Sequence, residues 1–283
     1  MREPGDDRSL LAPVLSLSEE QEDLLNNVLA FECMGAKGAT LNSYRSVLAK
    51  FLRHTGKTSG WNRDEVLGYF RNELKGGSKG YVRFQYTVLL SLWRHLGQTP
   101  PCLRKDLPVV RREDQQRPVA SREDIRRLCK WAKESAEPEI RSVVVVSTIW
   151  GLRRSELFSF EVKGPKLRVE TAKTNVIREH FIPPELQDLV IPPPTKTMNE
   201  ATHEFHRIRM AAGIRKQGHQ GWHWVRRSLA THLLSAGVPM PVVSAYMGWV
   251  PPASVSAAWY YSPDPGETDG QIYVKHPFLS LWG

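Results

Sequence analysis

The stretch from Gln98 to Pro118 constrains the fold more than any other part of the chain. Pro100, Pro101, Pro108 and Pro118 fall within it; each fixes φ and removes a backbone donor, so no helix or strand is expected to cross it intact. Arg104, Lys105, Arg111, Arg112 and Arg117 make the same stretch basic. At ~100–200 residues per domain, a 283-residue chain interrupted here is expected to form two domains, each with its own core. The division read from the sequence is a flexible N-terminus over 1–17, a helical bundle over 18–97, a linker over 98–120, a second domain over 121–261 and an apolar tail over 262–283.

The first block reads as helices. Ser18 precedes an acidic first turn, and Leu24, Leu25, Val28 and Leu29 recur at helical spacing. Thr40 opens a second helix whose apolar positions include Tyr44, Val47, Leu48, Phe51 and Leu52, ended by Gly56. Trp61–Leu74 and Tyr81–Leu96 repeat the pattern, and no strand signal interrupts them.

The second block mixes elements. Ser121-Arg-Glu-Asp124 is a capping-box pattern ahead of Ile125, Leu128, Cys129 and Ala132, and Pro138 opens a helix expected to stop at Gly151. Leu167 to Ile182 predicts two strands around a turn at Lys173-Thr174-Asn175, closed by Pro183 and Pro184. Helices are expected from there to about Tyr261. The fold class is therefore mainly α with a small β-hairpin or sheet: a helical bundle followed by a mixed α+β domain.

Composition removes several function classes. With 41% hydrophobic and 24% charged residues, disordered, collagenous and disulfide-scaffold classes are excluded. Cys33, Cys102 and Cys129 are widely spaced and form no Cys-x-x-Cys pair. The start MREPGDDRSL lacks an apolar stretch, and the longest apolar run, near Val143–Val146, is far below the ~18–20 residues of a membrane span. A reduced, cytoplasmic, nucleoid-associated or mobile-element-encoded protein with no membrane role is expected. Residues 1–99 hold 13 Lys+Arg and 11 Asp+Glu, leaving 26 and 19 for the rest, so +7 of the net +9 lies in the C-terminal two-thirds. Such a surplus favours polyanions through counterion release, though many basic proteins bind none.

Three segments carry side chains suited to chemistry. In Trp222-His223-Trp-Val-Arg226-Arg227, His223 and Arg226 are three apart on one helix and share a face, which suits an anion but is also common on ordinary surfaces. In Gly151-Leu-Arg153-Arg154-Ser-Glu156, Glu156 is close enough to orient an arginine, which an ordinary structural ion pair explains equally well. Tyr260 and Tyr261 end a short helix before Pro263. Arginines that clamp phosphate oxygens, a phenol that attacks phosphorus and a Lys or His that moves protons form a set suited to phosphoryl transfer. Histidines at His203, His206, His219 and His223 could in principle chelate zinc, but no Cys cluster or third converging ligand accompanies them, so no metal site is assigned.

Gly-Leu-Arg153-x-Ser-Glu156-Leu, a hairpin Lys173, His223-x-x-Arg226 continuing as Arg-Ser-Leu-Ala-Thr-His-Leu-Leu, Gly248-Trp249 and a tyrosine about a dozen residues later together resemble the tyrosine recombinases, the phage integrase family. Thr40 to Leu48 is similar to a helix of that family's core-binding bundle, and Phe205 to Ile214 to the segment before its His motif. The resemblance implies that Arg153 and Arg226 hold the scissile phosphate, that Lys173 protonates the departing 5′ oxygen, and that His223 assists proton transfer. It also implies that Trp249 fills a position taken by His or Trp, that Glu156 supports the first arginine, and that Tyr261 is the nucleophile, with Tyr260 as the alternative. Arg154, Arg227, Arg104, Lys105, Arg111 and Arg112 are the expected DNA contacts. Further implications are double-stranded DNA with paired recombination sites, a dimer to tetramer on DNA, a 3′-phosphotyrosine intermediate, and no cofactor, metal or ATP. Arg153 and His223 lie 223 − 153 = 70 residues apart, a compressed interval that makes Arg178 the substitute for Lys173. Position 227 is Arg where relatives often carry His, and Pro251 and Pro252 interrupt the path to the tyrosine. The competing functions are a type IB-like topoisomerase and a catalytically inactive DNA-binding relative. Ile272, Tyr273, Phe278, Leu279, Leu281 and Trp282 give the tail enough apolar surface that docking on a neighbouring protomer is expected.

Overall fold

The computed structural model describes residues 16–36, 38–111, 117–171, 177–216, 220–249 and 265–283. The chain divides into two compact units, Met1–Gln116 and Arg117–Gly283. It is mostly helical, with one small antiparallel sheet.

The first unit is a bundle of α1 (Glu19–Glu32), α2 (Gly38–Thr55), α3 (Arg63–Gly76) and α4 (Lys79–His95). Capping boxes at Ser18 and Asn62 satisfy otherwise orphaned N–H groups at the starts of α1 and α3. Phe51 sits at the centre, its ring centroid 5.1 Å from that of Tyr69, 5.2 Å from Trp61 and 6.4 Å from Trp93. The expected linker is not a free segment. Cys102 and Leu107 are buried in this bundle, and the Tyr86 hydroxyl donates to the Cys102 carbonyl (3.0 Å). At the other end of the 98–120 stretch, Ala120 is buried in the second unit and its N–H donates to Ser228 Oγ (2.6 Å). Buried apolar side chains flanking the prolines anchor each half to its own core.

The second unit begins with α5 (Arg122–Ser135), started by the expected Ser121–Asp124 capping box, and α6 (Pro138–Ile149). Ile140 and the whole run Ser142–Ile149 are buried, so α6 is the central helix of this unit. Strands β1 (Glu161–Lys163), β2 (Lys166–Glu170) and β3 (Ile177–Phe181) form the sheet in the order β1-β2-β3, antiparallel throughout. β1 was not expected, because three residues offer no readable alternation. Leu167 opposes His180 and Val169 opposes Arg178. By the period of two, these four side chains share the inward face of the sheet. Then follow α7 (Met198–Ala211), α8 (Trp222–Ser235), α9 (Met240–Met247) and α10 (Pro265–Val274).

After Gly151, residues 154–159 form consecutive turns. In this single chain, residues 265–283 of the C-terminal tail are seated on the second unit. Ile272, Phe278 and Trp282 are buried in the core of the second unit. Polar partners fix the arrangement: Trp282 Nε1 donates to Thr148 Oγ1 (3.0 Å), His276 Nε2 meets the Ile149 carbonyl (2.9 Å) and Trp150 Nε1 donates to the Tyr273 hydroxyl (2.9 Å). The end of α6 thus supplies both apolar sockets and hydrogen-bond partners. Among the described residues no helix is long and apolar enough to cross a membrane.

Candidate active site

Four elements of the second unit converge on Glu156. Gly151 ends α6 in the left-handed region (φ 58°), and a Cβ there would lie 2.9 Å from Met247 Cε and 3.0 Å from Leu229 Cδ2. The chain therefore turns at closest approach to α8 and α9, which directs the next residues into the site. Glu156, 1% exposed, accepts from the Arg153 backbone N–H (2.8 Å) and from Arg153 Nη1 (2.7 Å). Arg153 Nη2 donates to the Gly248 carbonyl (3.0 Å).

Arg226, on α8, is 5% exposed and donates from Nη1 to the Gly151 carbonyl and from Nη2 to the Met247 carbonyl. The two expected phosphate clamps thus bind carbonyls of consecutive residues, Met247 and Gly248, and their guanidiniums lie together. Burial first, then the charges of Arg153 and Arg178, press the Arg226 pKa down to about 9 against the opposing pull of Glu156. Glu156 behaves in the opposite way. Burial works against its charge, but the Arg153 N–H and guanidinium bonds and the Arg178 and Arg153 charges outweigh it and hold its pKa below the ordinary carboxylate range.

The third guanidinium is Arg178 on β3. Its Nη1 donates to the Tyr246 carbonyl (2.6 Å) and its Nη2 lies 3.6 Å from Glu156 Oε2. Among the described residues Nε and Nη2 have no hydrogen-bond acceptor. Gly248, in the left-handed cap of α9 (φ 60°), lies against it: a Cβ there would come within 2.6 Å of Arg178 Nε. The sequence placed Arg178 only as a substitute for Lys173; its position on the inward face of β3 makes it part of the Glu156 cluster.

His223 is exposed in the first turn of α8. Partial burial, then Arg226, Arg154, Arg227 and Arg153, lowers its pKa, so the imidazole is held neutral beside the clamps. Arg154 Nη1 donates to Thr202 Oγ1 on α7 (2.6 Å), and Arg227 Nη2 donates to the Pro118 carbonyl (3.2 Å). Trp249 follows the α9 cap and is half-buried against the core. Lys173, Tyr260, Tyr261 and Arg112 lie outside the described residues, as does His219. Arg104, Lys105 and Arg111 are exposed on the first unit. Among the described residues no three His, Cys, Asp or Glu side chains are grouped to hold a metal.

Three guanidiniums outnumber the shared Glu156 and the nearby buried Asp269, so among the described residues the cluster is net positive with a neutral imidazole at its edge. Such a site favours an oxyanion that gains negative charge during reaction. The backbone carbonyls that position the clamps belong to Gly151, Tyr246, Met247 and Gly248; carbonyls are common to all residues, so no sequence signal marks them.

Residues 189–266 match the model of the phage integrase family. A search among curated proteins finds no match. Among solved structures, the chain is similar to a "lambda integrase(75-356) dimer bound to a COC' core site", at 15% identity over 86% of this chain and 97% of that one, with a TM-score of 0.63. A lambda integrase tetramer bound to a Holliday junction is 16% identical over 82% of this chain and 78% of that one, TM-score 0.63. XerH site-specific recombinase bound to palindromic difH substrate is 14% identical over 92% and 88%, TM-score 0.60. The fold is thus shared with these solved structures, and the phage integrase family model matches residues 189–266 of it.

Proposed function

We propose that the protein is a site-specific recombinase that cuts and rejoins DNA strands through a 3′-phosphotyrosine. The observation that carries this reading is the pairing of Arg153 and Arg226 on consecutive carbonyls around buried Glu156. In the proposed step the Tyr261 hydroxyl oxygen attacks the scissile phosphorus. The new O–P bond replaces the bond to the 5′ oxygen; the neutral His223 imidazole accepts the phenol proton, and Lys173 protonates the departing oxygen. A phenol of pKa ~10 is a weak nucleophile at neutral pH. The net positive cluster favours both its phenolate and the dianionic pentavalent phosphorus, without a metal. The covalent phosphotyrosine retains the energy of the cut bond, so the reverse attack by a 5′ hydroxyl rejoins a strand without ATP.

The relatives' complexes with DNA as dimer and tetramer support double-stranded DNA and a homo-oligomer as partners. Arg154, Arg227, Arg104, Lys105, Arg111 and Arg112 are the proposed backbone contacts. A nicked suicide duplex carrying the cognate site tests the reading: Tyr261→Phe is expected to abolish the covalent protein–DNA adduct and Tyr260→Phe to retain it. The reverse pattern moves the nucleophile to Tyr260, and an adduct that survives both substitutions contradicts the reading. A single-chain type IB-like topoisomerase is the competing reading. Relaxation of a supercoiled plasmid that lacks the recombination site distinguishes that enzyme.

A further inference from the structure

Beside the Glu156 cluster lies a second cationic concavity, a cavity of ≈ 320 Å³ lined by Arg117, His206, Lys216, Gln220, Gly221, His223, Trp224 and Arg227. Its described walls hold three permanent positive charges, Arg117, Lys216 and Arg227, and no carboxylate. It is built from three segments: the irregular segment leading into α5, the end of α7 with its following turn, and the start of α8. Arg227 is held in place by its bond to the Pro118 carbonyl, while its Nε is buried without an acceptor among the described residues. Gly221, the N-cap of α8, supplies no side-chain cap, so the positive end of that helix also opens into the cavity. Like charges gathered around a concavity, with a fixed guanidinium whose Nε has no acceptor among the described residues, are arranged to receive an anion.

Helix geometry separates this cavity from the clamps. At 100° per residue, Arg226 lies about 60° to one side of His223, and Arg227 and Trp224 lie about 40° and 100° to the other. His223 thus stands between the Arg153–Arg226 pair and the Arg117–Lys216–Arg227 cavity. We infer that the cavity binds a second backbone phosphate of the DNA, near the one that is cut, with Arg117, Lys216 and Arg227 as its ligands. The inference deepens the recombinase reading and rests on it. Arg117, Lys216 and Arg227 are then positioning residues: a duplex anchored at two phosphates, on either side of one imidazole, cannot rotate about the scissile one.

The test is the salt dependence of binding to a duplex of arbitrary sequence. Each phosphate neutralised contributes about 0.9 to the slope of log K against log salt. Arg117→Ala/Lys216→Ala, both exposed, is expected to lower the slope by about that amount. Arg126→Ala/Arg127→Ala, on the exposed face of α5 where both pair with Glu123, is expected to leave it unchanged. An unchanged slope in the cavity variant, or an equal loss in the control, overturns the proposal. Inorganic phosphate at constant ionic strength is expected to weaken duplex binding by the wild type more than by the cavity variant. Phosphate that binds the free wild-type chain without affecting duplex affinity makes the cavity a small-anion site and also overturns it. A cavity-dependent slope in a protein that forms no covalent adduct on its cognate site removes the recombinase reading while leaving the cavity's phosphate binding in place.

Discussion

At the residue scale the site depends on Glu156. It is the one carboxylate the guanidiniums of Arg153 and Arg178 share, and removing one member of a buried ionic set leaves the others uncompensated, at about 3–5 kcal/mol. Glu156→Gln is expected to destabilise the protein by that order, measured by denaturant unfolding. Because the folded-state pKa of Glu156 is lowered, its stabilisation is fully present above the unfolded value of ~4.3 and fades as pH falls below it. The gap between wild type and variant should therefore shrink below about pH 4; a constant gap contradicts the ion-pair account. Gly248 gives a second test. Gly248→Ala combines left-handed strain with a 2.6 Å approach to Arg178, whereas Gly35 (φ 80°) has open space around it. Gly35→Ala should lose ~1 kcal/mol from conformation alone and Gly248→Ala clearly more; equal losses would mean that the Arg178 contact contributes nothing.

At the scale of elements, periodicity and capping residues made the helices legible. Ser18 and Ser121 mark real N-termini, and Leu25, Val28, Val47, Leu48, Ile125 and Leu128 are buried where helical spacing put them. The sheet was half legible: β2 and β3 carry recognisable strand residues, while β1 is too short. Arg178 was legible as a hairpin cation but not as a site residue, because which strand face turns inward is set by packing against α10, whose Asp269 bonds His180 and the Phe181 N–H. The tail's apolar residues were visible, but their sockets at the end of α6 were not. His276 makes that docking pH-sensitive: its Nε2 meets the Ile149 carbonyl and its Nδ1 accepts from the Phe278 N–H, which requires the neutral ring. Burial lowers its pKa to about 4. A depressed folded pKa gives stability that is present above the unfolded value of ~6.5 and lost as pH falls toward 4. Protection factors in residues 265–283, taken against the intrinsic exchange rate at each pH, are expected to fall across that window, and His276→Gln to remove the dependence; protection factors independent of pH contradict it.

At the scale of the whole molecule, function depends on distant stretches meeting. Arg153 and Arg226 are 226 − 153 = 73 residues apart in sequence, yet both reach carbonyls of the α9 cap. An isolated His-x-x-Arg or Arg-x-x-Glu reads equally well as an ordinary surface or structural pair; only the fold makes them one site. The central claim is that this cluster grips one phosphodiester for attack by a phenol. Its most direct test is the single-turnover rate of covalent adduct formation on a nicked cognate duplex by Arg153→Lys and Arg226→Lys, with duplex affinity measured in parallel. Lysine keeps the charge but loses the paired donors, and loss of an oriented oxyanion donor typically slows reaction by ~10²–10³-fold. The account predicts such a fall in both variants with binding changed far less, and adduct formation at the wild-type rate in either would contradict it.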